Sequence, residues 1–133
     1  MKKARLIYNP TSGREQIRKN LAYILERLEE EGYEASTHAT TGEGSAKWAA
    51  KDAGEKGFDL VIAAGGDGTI FEVVNGLAPL QKRPRLGLIP AGTTNDFARA
   101  LSIPKDIEKA CDVLCGDHVE PIDIGRVNDK FFY

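Results

Sequence analysis

The chain has 133 residues, enough for one domain that buries roughly two-thirds of its unfolded surface. Hydrophobic residues make up 41% and charged residues 29%, as in ordinary soluble proteins, and a net charge of −2 gives no global attraction to nucleic acid or to anionic lipid. The first apolar run is far shorter than the about 7–15 residues of a signal peptide, and nothing approaches the ~18 apolar residues of a membrane span, so we expect a cytoplasmic protein with no nucleic-acid partner.

The first half of the chain predicts two strand–helix units. Residues 4–9 form a short apolar strand, and the helix predicted over 16–31 carries an apolar stripe at helical spacing that would cover a sheet. Residues 33–40 alternate weakly, which indicates a less buried strand. An alanine-rich helix follows over 44–56, and Ser45 is its candidate cap.

The second half continues the alternation of strands and helices. Residues 58–64, "FDLVIAA", lack polar alternation after Asp59, as expected of a central parallel strand covered on both faces. We then predict a helix over 70–77, a strand over 85–92, helices over about 95–101 and 106–115, and a strand over 119–127. This order implies an α/β fold, a layered parallel sheet flanked by helices with right-handed crossovers.

Glycine and threonine are concentrated where the predicted strands end, in "NPTSG" (9–13), "TTGEG" (40–44), "GGDGT" (65–69) and "PAGTTND" (90–96). The carboxyl ends of parallel strands form the ligand crevice of such sheets, so we expect these loops to lie together. Backbone N–H groups of glycine turns and helix N-termini bind phosphate, and Thr69 stands just before the helix over 70–77. The loops therefore predict a phosphate-binding site.

Three carboxylates belong to the same predicted edge, namely Asp67, Asp96 and Asp123. Carboxylates beside a polyphosphate repel it unless a cation intervenes, and magnesium binds through carboxylates, phosphates and water. The alternative is that Asp67 and Asp96 only form Asx turns or helix caps. Neither the Walker pattern G-x-x-x-x-G-K-[ST] nor the dinucleotide pattern G-x-G-x-x-G is present in the sequence.

The sequence is similar to a known family at these loops. "IYNPTSG", "AAGGDGT" followed by "EVVNG", and "PAGTTNDFAR" resemble the catalytic-domain motifs of the bacterial diacylglycerol kinases, in the diacylglycerol/sphingosine/NAD kinase superfamily. The resemblance covers essentially the whole chain, in the right order and spacing. "GGDGT" alone would also admit NAD kinases and phosphofructokinases, whereas "NDFAR" after "GT" favours the lipid-kinase branch. Phe71 departs from the pattern, because many members carry asparagine there.

The resemblance implies ATP and Mg²⁺ as cofactors. It implies that Asp67, Asp96 and Asp123 hold the magnesium through water molecules. The residues that it implies for ATP are Asn9, Pro10, Thr11, Ser12 and Gly13, then Thr40, then Gly65, Gly66, Asp67, Gly68, Thr69, Ile70, Phe71 and Glu72, and finally Thr93 and Asn95.

The implied reaction transfers the γ-phosphoryl group of ATP to the hydroxyl of diacylglycerol and forms phosphatidate. In the family, a second, β-rich sandwich domain supplies the catalytic base, and no residue of this chain can be given that role. The final residues "KFFY" read as a strand cut short, so we expect this chain to be the ATP-binding domain, 1–133, of a longer protein. Alone it should have negligible lipid kinase activity.

Other readings stay open from the sequence. The acceptor could be a sphingoid base or NAD, and the domain could be a non-catalytic nucleotide-binding module, although three retained aspartates argue against the latter. A diacylglycerol acceptor implies transient contact with the inner face of the membrane. A homodimer is also open, since an uncovered sheet edge can pair with another copy.

Overall fold

The computed structural model describes residues 2–11, 15–91, 107–114, 125–127 and 130–132. A four-stranded parallel sheet in the order β2-β1-β3-β4 forms its centre. The strands are β1 (Lys2–Tyr8), β2 (Tyr33–Ala39), β3 (Leu60–Gly65) and β4 (Arg85–Pro90). The helices are α1 (Gln16–Lys19), α2 (Leu21–Glu30), α3 (Ser45–Glu55), α4 (Asp67–Leu77) and α5 (Ile107–Leu114). The prediction of an α/β fold with a parallel sheet is confirmed.

Strand β3 lies inside the sheet, as its apolar sequence predicts. It pairs with β1 on one side and with β4 on the other. All six of its residues are buried, because helices cover both faces of the sheet. Strand β2 pairs with β1 and is the most exposed of the four strands in this sheet, which confirms the expectation drawn from its weak alternation.

One face of the sheet packs against α2 and α5. Its core contains Leu6 of β1 and Ile62 of β3, together with Ile24 of α2 and Cys111 of α5. The apolar stripe predicted for the first helical segment therefore contacts the sheet. Arg27 of α2 and Asp112 of α5 form an ion pair with 2.6 Å between Nη2 and Oδ1, and this hydrogen bond raises the pKa of Arg27.

The other face packs against α3 and α4, and these two helices approach each other closely. The buried side of α3 consists of alanines, including Ala50. Opposite them lies Gly76 of α4, where an added Cβ would collide with the carbonyl oxygen of Lys47. Small side chains on both helices therefore set the α3–α4 distance.

Several predicted boundaries are wrong. The helix predicted over 16–31 is two helices, separated at Asn20, whose Nδ2 donates to the carbonyl oxygen of Gln16 (2.8 Å) and whose φ of −111° interrupts the helix. Helix α4 begins at Asp67, so Thr69 lies in its first turn and not before it.

The predicted cap of α3 is also wrong, because Ser45 is the first residue of that helix and Gly44 precedes it as the N-cap with φ 86°. Of the strand predicted over 119–127, residues 125–127 form β5 (Gly125–Val127), which pairs antiparallel with β6 (Lys130–Phe132) in a separate two-stranded sheet. The helix predicted over 95–101 lies outside the described residues.

Candidate functional site

The loops that follow the parallel strands open onto one cleft of about 480 Å³. Its lining comes from the loop after β1, the loop after β2 and the first turns of α3 and α4. The lining residues are Asn9, Pro10, Thr11, Thr40, Thr41, Gly42, Glu43, Ala46, Gly68, Thr69 and Glu72. Three of the four predicted loops therefore meet, and the fourth lies outside the described residues after Ala91.

The loop after β1 is held by its own asparagine. Asn9 Oδ1 accepts hydrogen bonds from the backbone N–H of Thr11 (3.0 Å) and from its hydroxyl (2.9 Å). The Asn9 N–H donates to the carbonyl oxygen of Ala64 in β3 (3.1 Å). This Asx turn fixes the loop against the central strand and presents Pro10 and Thr11 to the cleft.

The loop after β2 is held at both ends. The Thr40 N–H donates to the carbonyl oxygen of Tyr8 at the end of β1 (2.9 Å). Ser45 Oγ accepts the Thr41 N–H (3.2 Å) and lies 2.9 Å from Nε2 of His38. The Ser45 hydroxyl thus organises the loop before α3 instead of capping the helix.

The β3–α4 turn presents a helix N-terminus to the cleft. Gly66 is the N-cap of α4 and has no side chain, and the first intrahelical bond runs from the Ile70 N–H to the Gly66 carbonyl oxygen (3.2 Å). The amides of Gly68 and Thr69 therefore have no acceptor within their own helix. An added Cβ on Gly68 would meet nothing within 4 Å, so its place faces open space.

Gly65 has a different role in the same turn. Its φ is 158°, and an added Cβ would lie 2.9 Å from Thr69 Oγ1 and 3.0 Å from Thr69 Cβ. Thr69 is buried at 9% exposure. The missing side chain at Gly65 thus makes room for Thr69, so that the strand and the helix can pack closely.

Glu72 connects the two helices that border the cleft. Its Oε1 accepts hydrogen bonds from the backbone N–H groups of Gly44 (3.0 Å) and Lys47 (3.4 Å), which are the N-cap and third residues of α3. No side chain within α3 caps this helix. A carboxylate from α4 therefore does what a capping side chain does elsewhere.

This contact makes the two helix N-termini electrostatically different. The positive end of the α3 dipole already faces the Glu72 carboxylate, at 3.0 Å from the Gly44 nitrogen. At the start of α4, the N-cap Gly66 supplies no side-chain acceptor, although the first turn contains Asp67. The start of α4 therefore differs from the start of α3 in having no side-chain cap at its N-cap residue.

The other predicted site residues are placed as follows. Asp67 is the first residue of α4, and Gly66 precedes it. The side chain of Ile70 is buried in the core, so only its backbone could meet a ligand, and Phe71 is half-buried with its carbonyl oxygen accepting Asn75 Nδ2 (2.8 Å). The predicted site residues outside the described residues are Ser12, Gly13, Thr93, Asn95, Asp96 and Asp123.

Metal ligands and membrane-spanning helices can be assessed for the described part of the chain. No group of three or more His, Cys, Asp or Glu residues there could hold a metal ion. Of the three aspartates predicted for magnesium, that part includes only Asp67, so the magnesium site stays a prediction. Among the described helices, none has the length and apolar character needed to cross a membrane.

Neither Glu43 as a lining residue nor the capping role of Glu72 was predicted from the sequence. Glu43 is a lining residue within the predicted loop over 40–44, but its carboxylate fits no expectation for a phosphate site. The Glu72 contact joins residues 28 positions apart, and no local pattern indicates such a pair.

Known proteins resemble this chain along most of its length. The family model described as "Diacylglycerol kinase catalytic domain" matches residues 3–127. A diacylglycerol kinase of Bacillus subtilis (strain 168) is 64% identical over 133 residues, which are 99% of this chain and 44% of that protein. One of Staphylococcus haemolyticus (strain JCSC1435) is 52% identical over 129 residues, 97% of this chain and 39% of that protein.

The same similarity extends to a solved structure. A crystal structure of a diacylglycerol kinase from Bacillus anthracis strain Sterne superimposes with a TM-score of 0.88 at 39% identity, covering 98% of this chain and 45% of that one. The chain thus spans less than half the length of these relatives.

Proposed function

The chain belongs to the family of diacylglycerol kinase catalytic domains, and from this membership we propose that it binds ATP for the phosphorylation of a lipid. In the whole protein, the γ-phosphoryl group of ATP passes to the free hydroxyl of diacylglycerol and gives phosphatidate. The chain corresponds to 44% of the Bacillus subtilis relative. We therefore propose that the acceptor site and the catalytic base lie in the part of such a protein that this chain does not cover.

This proposal is supported mainly by the N-terminus of α4, whose first turn lines the cleft. Gly66 supplies no side-chain cap to the helix N-terminus, and the space beside Gly68 is open. Phosphate is the ligand that such a terminus favours, because backbone N–H groups donate to its oxygens and the helix dipole attracts its charge. Thr69 and Thr11 line the same cleft and add hydroxyl groups.

The chemistry needs more than this cleft supplies. A bond forms between the lipid hydroxyl oxygen and the γ-phosphorus, the bond from that phosphorus to the β–γ bridging oxygen breaks, and the hydroxyl proton goes to a base. Such transfer depends largely on positioning and on neutralising charge, for which a glycine turn is suited. A base typically contributes about 10²–10⁴-fold. We therefore expect the chain alone to have negligible kinase activity.

Magnesium fits the proposal through the donor chemistry of the predicted residues. Asp67 begins the helix whose first turn lines the cleft, and Asp96 and Asp123 are the other two predicted carboxylates. When bound, the ion would neutralise charge on the phosphates. Contact with diacylglycerol implies that the protein works from the cytoplasm at the inner membrane face, transiently.

A radiolabelled ATP assay on the natural protein tests the function. Diacylglycerol, sphingosine and NAD are offered in parallel, with and without magnesium. We expect label in phosphatidate only, and only with magnesium present. Label in NAD alone would overturn the lipid assignment, and label in sphingosine alone would move the acceptor to a sphingoid base. ATP binding without transfer to any acceptor would favour the non-catalytic module.

A further inference from the structure

The loop between β2 and α3 forms one side of the cleft. Its cleft-lining residues are Thr40, Thr41, Gly42 and Glu43, and Ala46 of α3 continues the same side. Two glycines of this segment adopt positive φ angles, 154° at Gly42 and 86° at Gly44. Because glycine loses more conformational entropy on folding than any other residue, this loop keeps one shape only where contacts hold it.

Contacts hold the loop at both of its ends. At its start, the Thr40 N–H donates to the carbonyl oxygen of Tyr8 in β1 (2.9 Å). At its other end, Glu72 Oε1 of α4 accepts the N–H groups of Gly44 (3.0 Å) and Lys47 (3.4 Å). Gly44 is the N-cap of α3 and Lys47 belongs to its first turn. The Glu72 contact therefore ties both the end of the loop and the start of α3 to α4.

Helix α4 also forms another side of the cleft. Gly68 and Thr69 line the cleft in the first turn of this helix, and Glu72 lines it in the next. Residues three and four positions apart share one face of a helix, so Glu72 lies on the face that presents Gly68 and Thr69. One helix thus carries both the amides at the cleft and the carboxylate that holds the loop. The separation between the loop and those amides is therefore set by α4.

The charge of Glu72 indicates how it can serve this cleft. A carboxylate repels the phosphates of ATP, which have the same sign of charge. Two N–H groups and the positive end of the α3 dipole partly offset the Glu72 charge. Direct contact with a phosphate is still unfavourable. Glu72 can therefore favour ATP binding through the loop that it holds.

We propose that Glu72 is a positioning residue for ATP. By bonding the start of α3 to α4, it keeps Thr40 and the rest of the β2–α3 loop at the distance from the α4 amides that the nucleotide requires. This role rests on the proposed function, since it concerns the shape of the cleft for ATP. Glu72 takes no part in the transfer of the phosphoryl group.

Calorimetric titration of the natural protein with a non-hydrolysable ATP analogue tests this role. Three variants are compared with the unchanged protein at a temperature where all four are folded. Glu72→Ala removes the acceptor, whereas Glu72→Gln keeps an oxygen there without the charge. Leu28→Ala is the control for lost stability, because Leu28 is buried on the other face of the sheet. Its truncation should destabilise the protein at least as much as loss of a helix cap.

We expect Glu72→Ala to bind the analogue at least about tenfold more weakly, since the acceptor that holds the loop is lost. Glu72→Gln should stay within about threefold of the unchanged protein, and Leu28→Ala within about twofold. In a kinase assay with diacylglycerol, the KM of Glu72→Ala for ATP should rise by the same factor as its dissociation constant. Its kcat at saturating ATP should stay within about threefold.

A double-mutant cycle with Thr40→Val tests whether Glu72 acts through the loop. Thr40 is the residue of this loop that is predicted to bind ATP, and it lines the cleft. Glu72→Ala should weaken binding of the analogue less in the Thr40→Val protein than in the unchanged protein, because both changes affect the same contact. Fully additive losses would mean that Glu72 acts independently of the loop, and would overturn its positioning role.

Other results would also overturn this role. They are equal affinity of Glu72→Ala and the unchanged protein, equal losses in Glu72→Ala and Leu28→Ala, a loss in Glu72→Gln as large as in Glu72→Ala, or a fall in kcat with an unchanged KM. If the unchanged protein does not bind the analogue, the proposed function is contradicted, and the role of Glu72 with it.

Discussion

Replacing Glu72 by alanine tests the contact that joins α3 to α4. The substitution removes the carboxylate that accepts the N–H groups of Gly44 and Lys47. A hydrogen bond to a charged group contributes about 1.5–3 kcal/mol, and loss of an N-cap acceptor costs about 0.5–2 kcal/mol. The 3.0 Å bond to Gly44 is of ordinary length, whereas the 3.4 Å bond to Lys47 is long and weaker.

We therefore expect Glu72→Ala to lower the free energy of unfolding by about 2 kcal/mol. For a cooperative unit of 133 residues that corresponds to a decrease in Tm of roughly 5–8 °C in the transition in which this domain unfolds. Glu72→Gln keeps a carbonyl oxygen at the same place but loses the charge, so its effect should be about half as large. The assay is thermal unfolding of the natural protein followed by circular dichroism, at one pH and salt concentration.

Hydrogen exchange locates the effect, because the amides of Gly44 and Lys47 should lose protection first. Glu43→Ala is the matched control, because it removes an exposed carboxylate from the same cleft. Among the described residues, this carboxylate accepts no hydrogen bond. If Glu72→Ala and Glu43→Ala unfold at the same temperature, the capping role inferred for Glu72 is wrong.

Three further substitutions test the cleft and the packing behind it. Gly68→Val should leave the Tm within about 3 °C, since the Cβ position is open. It should lower the affinity for ATP at least tenfold in a calorimetric titration. Unchanged ATP affinity would mean that the phosphates lie elsewhere. Gly76→Ala should destabilise by about 1–3 kcal/mol in urea unfolding, because its Cβ would collide with the carbonyl oxygen of Lys47, and a neutral effect would contradict the close helix contact. Asn9→Ala should weaken ATP binding, because the turn that holds Thr11 is lost. Asn9→Asp keeps the acceptor oxygen and should hold the loop, but its charge should repel the phosphates. Equal ATP affinities of the unchanged protein and both variants would refute the role of Asn9 in holding this loop.

The sequence predicts the centre of this fold well because the relevant signals are local and strong. In an alternating order of strands and helices, the apolar run that forms β3 is interpreted as a central parallel strand. Its burial follows because helices cover both faces of such a sheet. The cleft could be predicted for the same reason: once the strands are parallel, the loops after β1, β2 and β3 must meet.

The errors arise where a side chain or a distant residue competes with a local pattern. Asn20 sits within a helical pattern, but its amide bonds to the backbone and divides the helix. Serine is a common N-cap residue, yet Gly44 and not Ser45 is the N-cap of α3. The hydrogen-bond acceptor for the first amides of this helix comes from Glu72. The sequence pattern places Thr69 just before the helix, but Thr69 lies in the first turn of α4 and packs against Gly65 of β3.

The position of β1 in the sheet has a consequence during protein synthesis. This strand is made early but lies between β2 and β3, and its Ala4 pairs with Leu60 of β3, 56 positions later in the chain. At about 5–20 residues per second, a ribosome needs roughly 3–11 s to add that length. Throughout this interval one hydrogen-bonding edge of β1 stays uncovered. An uncovered edge can pair with another chain, so the nascent protein is most prone to wrong strand pairing before β3 is made.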